Sequence, residues 1–412
     1  MKRAPIGILI ASTLFMSAGS AWSQEAPEQT WETEPAWLHF EQGKRAYEDK
    51  DFGKALVSFD RAIATRRGGF AQARSRLQTA LSSQPAKTAG DSIGALMDAF
   101  AAEDFLAKDY LRIVADAGDN LKARIRALKA SRLADAHRAF LDCLTQVMEY
   151  RPVSELNDSL KALGQAIALL SAYPEAEFWK GKIFALEGEY SLALIQYDRA
   201  WDQRESLEVP EERYAILYAK ADLYGARGEL ASWESTMDYI IKDEELYSEP
   251  SIDPALIQAM SSSILGNDFD HFMTLYRLKA AFSLEANSAL SEFYLERGRQ
   301  QAYIRAAIAA NMVVTAGIAL VSAWDTDYSW AGLDDFLDRA YGRRDIAEFL
   351  DGQKLYRKLL ILADALYVAG GRGQARALWL SLAERANGPE RAVASRRLSN
   401  PESALPTVSA RP

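Results

Sequence analysis

Four carboxylates crowd one stretch of the chain: Asp325, Asp327, Asp334 and Asp335 in DTDYSWAGLDD. Clustered acids suggest Ca²⁺. A calcium loop of the helix–loop–helix kind, however, needs glycine at its sixth place and glutamate at its twelfth. Those places hold Trp330 and Phe336. The stretch therefore reads as a capping loop before a helix that starts at Leu333. The three histidines, His39, His137 and His271, stand far apart in no metal-ligand spacing. The single cysteine, Cys143, excludes an internal disulfide and a cysteine-rich metal site. It lies among Phe140, Leu144 and Val147 and reads as a buried structural thiol. Gly370-Gly371-Arg372-Gly373 could cradle a phosphate, but no Lys-Ser/Thr follows and no strand delivers the loop, so it reads as a turn between helices. No nucleophile elbow is visible. These residues imply no metal, no cofactor and no enzymatic chemistry.

The elements that would position side chains are helical. The 412 residues are 49% hydrophobic and 25% charged, globular values that exclude bulk disorder. Ala, Leu, Glu, Arg and Lys dominate, and apolar residues return every three or four positions. Sustained alternating runs of Val, Ile or Thr are missing, so the expected fold class is all-α. Lys and Arg number 48 against 57 Asp and Glu, a net charge of −9, which argues against a nucleic-acid partner. One basic stretch, Lys122, Arg124, Arg126, Lys129 and Arg132, reads as a solvated helix face, with contact to anionic lipid the alternative. The uncharged run Ala306–Trp324 is long enough to span a bilayer. Its Ala/Gly-rich make-up and mid-chain place point instead to a helix packed on all sides.

The first 23 residues read as a secretory signal. Lys2 and Arg3 precede the apolar Ile6–Met16 stretch, and Ala21-Trp22-Ser23 offers small residues for cleavage before Gln24. Residues 24–35 are acidic and proline-bearing and read as a flexible lead-in. The expected location is the periplasm.

A repeat organises the rest. In PEAEFWKGKIFALEGEYSLALIQYDRAWDQRESL, Gly181 and Phe184 lie on one helix, Gly188 and Tyr190 mark a turn, and Ala193, Tyr197 and Ala200 lie on the next. Gly43, Phe52, Ala55, Phe59 and Ala62 keep the same register. So do Ala221, Tyr224, Gly228 and Leu230, with Trp233 where a small residue is expected, which implies locally wider packing. Ala363, Gly370, Ala375 and Trp379 form another copy, and a weaker one runs near Leu284 with Tyr294 and Gly298. Small residues let two antiparallel helices approach, and the aromatic fills the gap to the next hairpin.

This pattern resembles the tetratricopeptide-repeat (TPR) family. The resemblance implies an α-α superhelix of helical hairpins: an array over 36–250, a second over 251–398 after the proline-marked boundary at 247–254, and a disordered tail over 399–412. It also implies a concave groove lined by the first helix of each hairpin. By register the lining would be Trp37, Phe40, Lys44 and Tyr47, then Phe178 and Lys182, then Tyr218 and Asp222, then Leu360, Asp364 and Tyr367. Rings beside single charges suit a protein or peptide partner in the cell envelope. The Lys/Asn set with which some TPR proteins clamp a terminal carboxylate is not reproduced. The expected role is a non-enzymatic scaffold for assembly or transport. The alternatives are a small-molecule carrier or accessory subunit of a solute transporter, and a cell-wall glycan enzyme. For the enzyme, Glu234-Ser235 resembles the lytic transglycosylase acid but lacks the Gly-rich segment expected after it. Peripheral association with a membrane is compatible with this reading.

Overall fold

A computed structural model describes residues 34–83, 171–247, 262–264 and 282–404. Among them all regular structure is helical, so the all-α expectation holds. Helices α1 (Ala36–Glu48) and α2 (Phe52–Ser83) form the first hairpin. Helices α3 (Pro174–Leu186) and α4 (Tyr190–Asp202) form the next, and α5 (Arg213–Ala226) pairs with α6 (Leu230–Tyr247). After the gap come α7 (Leu284–Glu296) and α8 (Ala302–Trp324), then two short helices, α9 (Leu333–Tyr341) and α10 (Arg344–Gly352). Helices α11 (Leu355–Val368) and α12 (Arg372–Arg385) pair, and α13 (Pro389–Ser399) packs on both. The readings that concern the signal segment, residues 24–33, the basic stretch 122–132, Cys143, His137, His271 and the prolines at 250 and 254 lie outside the described residues.

Five hairpins end their first helix in the same way. A residue of positive φ stands at Lys50, Gly188, Gly228, Gly298 and Gly370. The next residue's N–H reaches back over the last turn: Asp51 to Ala46 O, Glu189 to Phe184 O, Glu229 to Tyr224 O, Arg299 to Tyr294 O and Gly371 to Leu366 O, all at 2.8–2.9 Å. This is the Schellman closure, which satisfies carbonyls the helix end leaves orphaned. Glycine takes the left-handed conformation without a Cβ penalty, whereas Lys50 pays it at φ 61°. Seven residues before each closure stands a small residue: Gly43, Gly181, Ala221, Ser291 and Ala363. In the first two hairpins the closeness is extreme. A Cβ on Gly43 would meet the Phe59 ring at 2.5 Å, and one on Gly181 the Tyr197 ring at 2.4 Å. Trp233, expected to demand room, is accommodated against Gly225 and extends to Phe293 of the following hairpin, 4.9 Å between ring centres.

No hairpin buries its apolar face alone. One core joins Ala36, Phe40, Phe59 and Ile63 to Tyr173, Ala176 and Ile183 of the next hairpin, and a second joins Ala193 and Tyr197 to Ile216 and Leu223. The third runs from Tyr214 to Ala404 and so continues across position 250, where the sequence suggested a division. The described residues from Pro35 to Ala404 belong to one compact unit.

α8 is long and apolar enough to cross a membrane, yet two-thirds of its most apolar window is buried against its own neighbours. Gly317 lets it approach α9 and α10, where an added Cβ would lie 2.7 Å from Phe336 and 3.0 Å from Leu350. Three of the four aspartates around 325–335 are spent on arginines: Arg339 pairs with Asp325 at 2.9 Å and Asp335 at 3.3 Å, and Arg385 with Asp334 at 3.4 Å. α9 begins at Leu333, as the capping-loop reading requires.

The tail differs from expectation. Pro401–Ala404 form a 3₁₀ turn, Ala404 is buried, and Glu402 accepts a 2.8 Å hydrogen bond from the Tyr367 hydroxyl. Arg397, which also binds Asp364, donates to the Ser403 carbonyl and fastens this turn to α13. Long-range side chains thus order a segment whose own composition is loop-like.

Candidate functional site

The residues expected to line a groove fall into two sets. At the C-terminal end they are committed to the fold. Leu360 is buried in the core. Asp364 is buried too, accepts Trp379 Nε1–H at 2.9 Å and pairs with Arg397 at 3.0 Å, so it ties α11 to α12 and α13. Burial pushes its carboxyl above the usual carboxylate range, against the pull of Arg397. Tyr367 stacks near Trp379, 5.5 Å between ring centres, and holds Glu402.

Tyr218 is also structural. Its hydroxyl donates to Phe282 O at 2.6 Å and accepts from Ala286 N–H at 3.0 Å. Beside it the buried Glu244 of α6 accepts the N–H groups of Phe282 and Ser283 at 3.0 and 2.7 Å. Two side chains of the α5–α6 hairpin therefore cap the N-terminus of α7, where orphan donors and the helix dipole favour a carboxylate. Sequence reasoning missed this because the contact closes a loop of more than thirty residues.

The N-terminal set comes together. α1 touches α3, and α3 touches α5. Phe40 is interior, 5.7 Å from Phe59 and 5.1 Å from Tyr173 between ring centres. Lys44 is held by Glu41 at 2.6 Å. Trp37 leaves 37% of its surface exposed. Tyr47 meets Trp179 edge-on at 5.0 Å, and Phe178 lies 5.6 Å from Tyr197. The ammonium of Lys182 sits over three of these rings: 3.8 Å from the centre of Trp179, 5.4 Å from Tyr47 and 5.7 Å from Phe178. Ring quadrupoles attract such a cation, by about 1–2 kcal/mol when it is partly desolvated. Burial holds the ammonium below the usual lysine range. No ion pair or hydrogen bond from its side chain is present among the described residues. Its neighbours differ: Lys180 pairs with Asp60 and Lys220 with Asp198, each at 2.7 Å.

Asp222 is the acidic counterpart. It is exposed by area, yet the surrounding protein pushes its carboxyl above the usual range. Asp222 owes this to partial desolvation of its charge by the surrounding protein. It too has no ion pair or side-chain hydrogen bond among the described residues. Both Asp222 and Tyr47 bear electrostatically on the Tyr197 hydroxyl, which places them around the same ring. Trp179, the ring nearest Lys182, was not among the expected lining residues; its place three positions before Lys182, on the same helical face, is the signal that would have found it.

Behind this face Glu175, at the start of α3, is buried. Its Oε1 accepts Glu208 N–H at 2.7 Å, and its Oε2 has no partner. Burial pushes its carboxyl up, with Arg66 opposing. No group of three or more potential metal ligands exists among the described residues.

An uncharacterized protein of Treponema pallidum (strain Nichols) is similar to this chain, 27% identical over 390 residues that cover 93% of this chain and 94% of that protein. No family model matches the chain, and no solved structure matches it.

Proposed function

We propose that the protein is a non-enzymatic scaffold of TPR-like hairpins that binds a polypeptide segment on the face built by α1, α3 and α5. The observation that carries this reading is the aromatic-framed Lys182 on α3, with Asp222 of opposite charge on α5, a helix that α3 touches. Burial disfavours the charged form of both, and neither has an ion pair or side-chain hydrogen bond among the described residues. Leaving a charge desolvated costs free energy that a ligand of opposite charge recovers. Rigid rings around the charges offer contact area at low entropic cost. The repeated Schellman closures and the small-to-large pairing of Gly43 with Phe59 and Gly181 with Tyr197 support the solenoid reading of the fold. The signal-like segment over residues 1–23 supports action in the periplasm.

The test is a photoreactive amino acid introduced at position 182 in living cells. A discrete protein adduct is expected there, and not at Arg344, whose side chain is 92% exposed on a distant helix. Identical adducts from the two positions would reject the face assignment, and adducts confined to cytoplasmic proteins would reject the location.

A further inference from the structure

The small residue that begins each hairpin's seven-residue spacing is followed in all five by a charge: Lys44, Lys182, Asp222, Glu292 and Asp364. The sign changes once along the series. Three of these charges are neutralised within the chain: Lys44 by Glu41 at 2.6 Å, Glu292 by Arg357 at 3.2 Å and Asp364 by Arg397 at 3.0 Å. The two with no ion pair among the described residues, Lys182 and Asp222, are adjacent in the series, opposite in sign, and carried by helices that touch. They do not neutralise each other, since no ion pair joins them. Packed helices stand about 8–10 Å apart. An extended chain advances about 3.3–3.6 Å per residue. Two side chains about three residues apart on an extended segment would span the gap.

We infer that Lys182 and Asp222 read a bipolar motif in the partner: an acidic side chain seated on Lys182 and a basic one on Asp222, about three residues apart in an extended segment. The inference rests on the peptide-binding reading above and specifies its ligand. The acidic group takes the side of the ammonium that Trp179 leaves open. The basic group pairs with the exposed Asp222 carboxylate. The apolar stems between them lie on Tyr47 and Phe178. A uniformly acidic segment would satisfy Lys182 and be repelled by Asp222, and a uniformly basic one the reverse.

The probe is a set of display libraries with randomised flanks around a fixed pair: Glu-x-x-Lys, Lys-x-x-Glu, Glu-x-x-Glu or Lys-x-x-Lys. Selection on the full-length protein should enrich one bipolar order over both uniform libraries by about tenfold or more, the factor expected of one charge-assisted contact. Exchanging the charges (Lys182→Asp with Asp222→Lys) should reverse the preferred order. The milder Lys182→Met and Asp222→Asn should each abolish the preference while leaving the circular dichroism and the thermal midpoint in place. Enrichment of a uniform library, or an order unchanged by the exchange, would overturn the inference and leave peptide binding intact. Enrichment of no library would overturn the peptide-binding reading and the inference together.

Discussion

Gly181→Ala separates two forces that oppose each other in α3. In a helix interior the substitution normally stabilises, by about 1 kcal/mol, because alanine loses less backbone entropy and is the best helix former. Here the new Cβ would stand 2.4 Å from Cε1 and 2.5 Å from Cδ1 of Tyr197, against about 3.5–4.0 Å for comfortable carbon contact. The ring would have to retreat by more than about 1 Å. It is 2% exposed and pressed by Phe178, so it has nowhere to go without moving α4. Overpacking of this kind costs about 1–3 kcal/mol, more where the backbone must shift, and we place the net loss at about 1–2 kcal/mol. Gly68→Ala in α2 is the control: nothing lies within 4 Å of its added Cβ, so it should gain about 0.5–1 kcal/mol. Repeat arrays open in pieces, so the assay is amide exchange of α3 and α4 for the first variant and of α2 for the second. Adding Tyr197→Leu should return at least about 1 kcal/mol of the loss, a coupling expected only of groups in contact. Gly181→Ala protecting its helices as well as Gly68→Ala protects α2 would refute the close-approach argument.

Lys50→Gly should stabilise the first hairpin by about 0.5–1 kcal/mol, since Lys50 holds φ 61° at a cost glycine escapes, and Gly188→Ala should lose about 1 kcal/mol at the matching turn; urea midpoints followed by circular dichroism give both signs. Glu244→Ala leaves the N–H groups of Phe282 and Ser283 without their acceptor and should cost about 2–3 kcal/mol, seen as faster amide exchange at the start of α7, while Glu244→Gln should lose less. Asp364→Ala strands Arg397 and the Trp379 indole N–H and should cost about 3 kcal/mol, with Pro401–Ala404 losing exchange protection first. For Glu175, burial raises the folded carboxyl above its ordinary value of 4.5. Between those two values the folded chain holds a proton that the unfolded chain has released, so this group's contribution to stability falls as pH rises through that window. Urea midpoints taken across mildly acidic pH should show that slope, and Glu175→Gln should flatten it.

Much of the hairpin architecture was legible because backbone sterics leave few options. Gly188, Gly228, Gly298 and Gly370 each occur where a helix must reverse, and each adopts the left-handed conformation that favours glycine. Lys50 does the same job without the glycine signal, and only its distance from Gly43 gives it away. The pairs Gly43 with Phe59 and Gly181 with Tyr197 were readable as small beside large. The face was read only in part. Lys182 and Asp222 followed from register, but register says nothing about which neighbours arrive from far along the chain. Phe282 and Ala286 claim Tyr218, and Arg397 claims Asp364. These are partnerships over dozens of residues, set by how hairpins stack and not by local pattern. The same long reach orders Pro401–Ala404, which composition alone marks as loose.

Asp222 and Asp364 occupy the same position of their hairpins yet meet different surroundings. Both follow the small residue of a first helix, and both carboxyls are pushed up by the protein around them. At Asp364 a further helix, α13, lays Arg397 across the acid, and Trp379 donates a second bond, so the charge is spent inside the array. At Asp222 no arginine and no indole N–H pairs with the acid among the described residues, and the desolvation is not offset by an ion pair there. A repeat whose end is capped by its own C-terminal helix has consumed that part of its face. On α3 and α5, Lys182 and Asp222 have no ion pair among the described residues. On the proposed reading this divides the molecule: α11 to α13 close the array, and α3 with α5 presents the pair of opposite charges that a partner segment must complement. Removing Arg397 should therefore loosen the C-terminal helices and leave the charge-order preference at Lys182 and Asp222 untouched, and a loss of that preference in Arg397→Met, with α3 and α5 still protected from exchange, would show that the two ends are not separate.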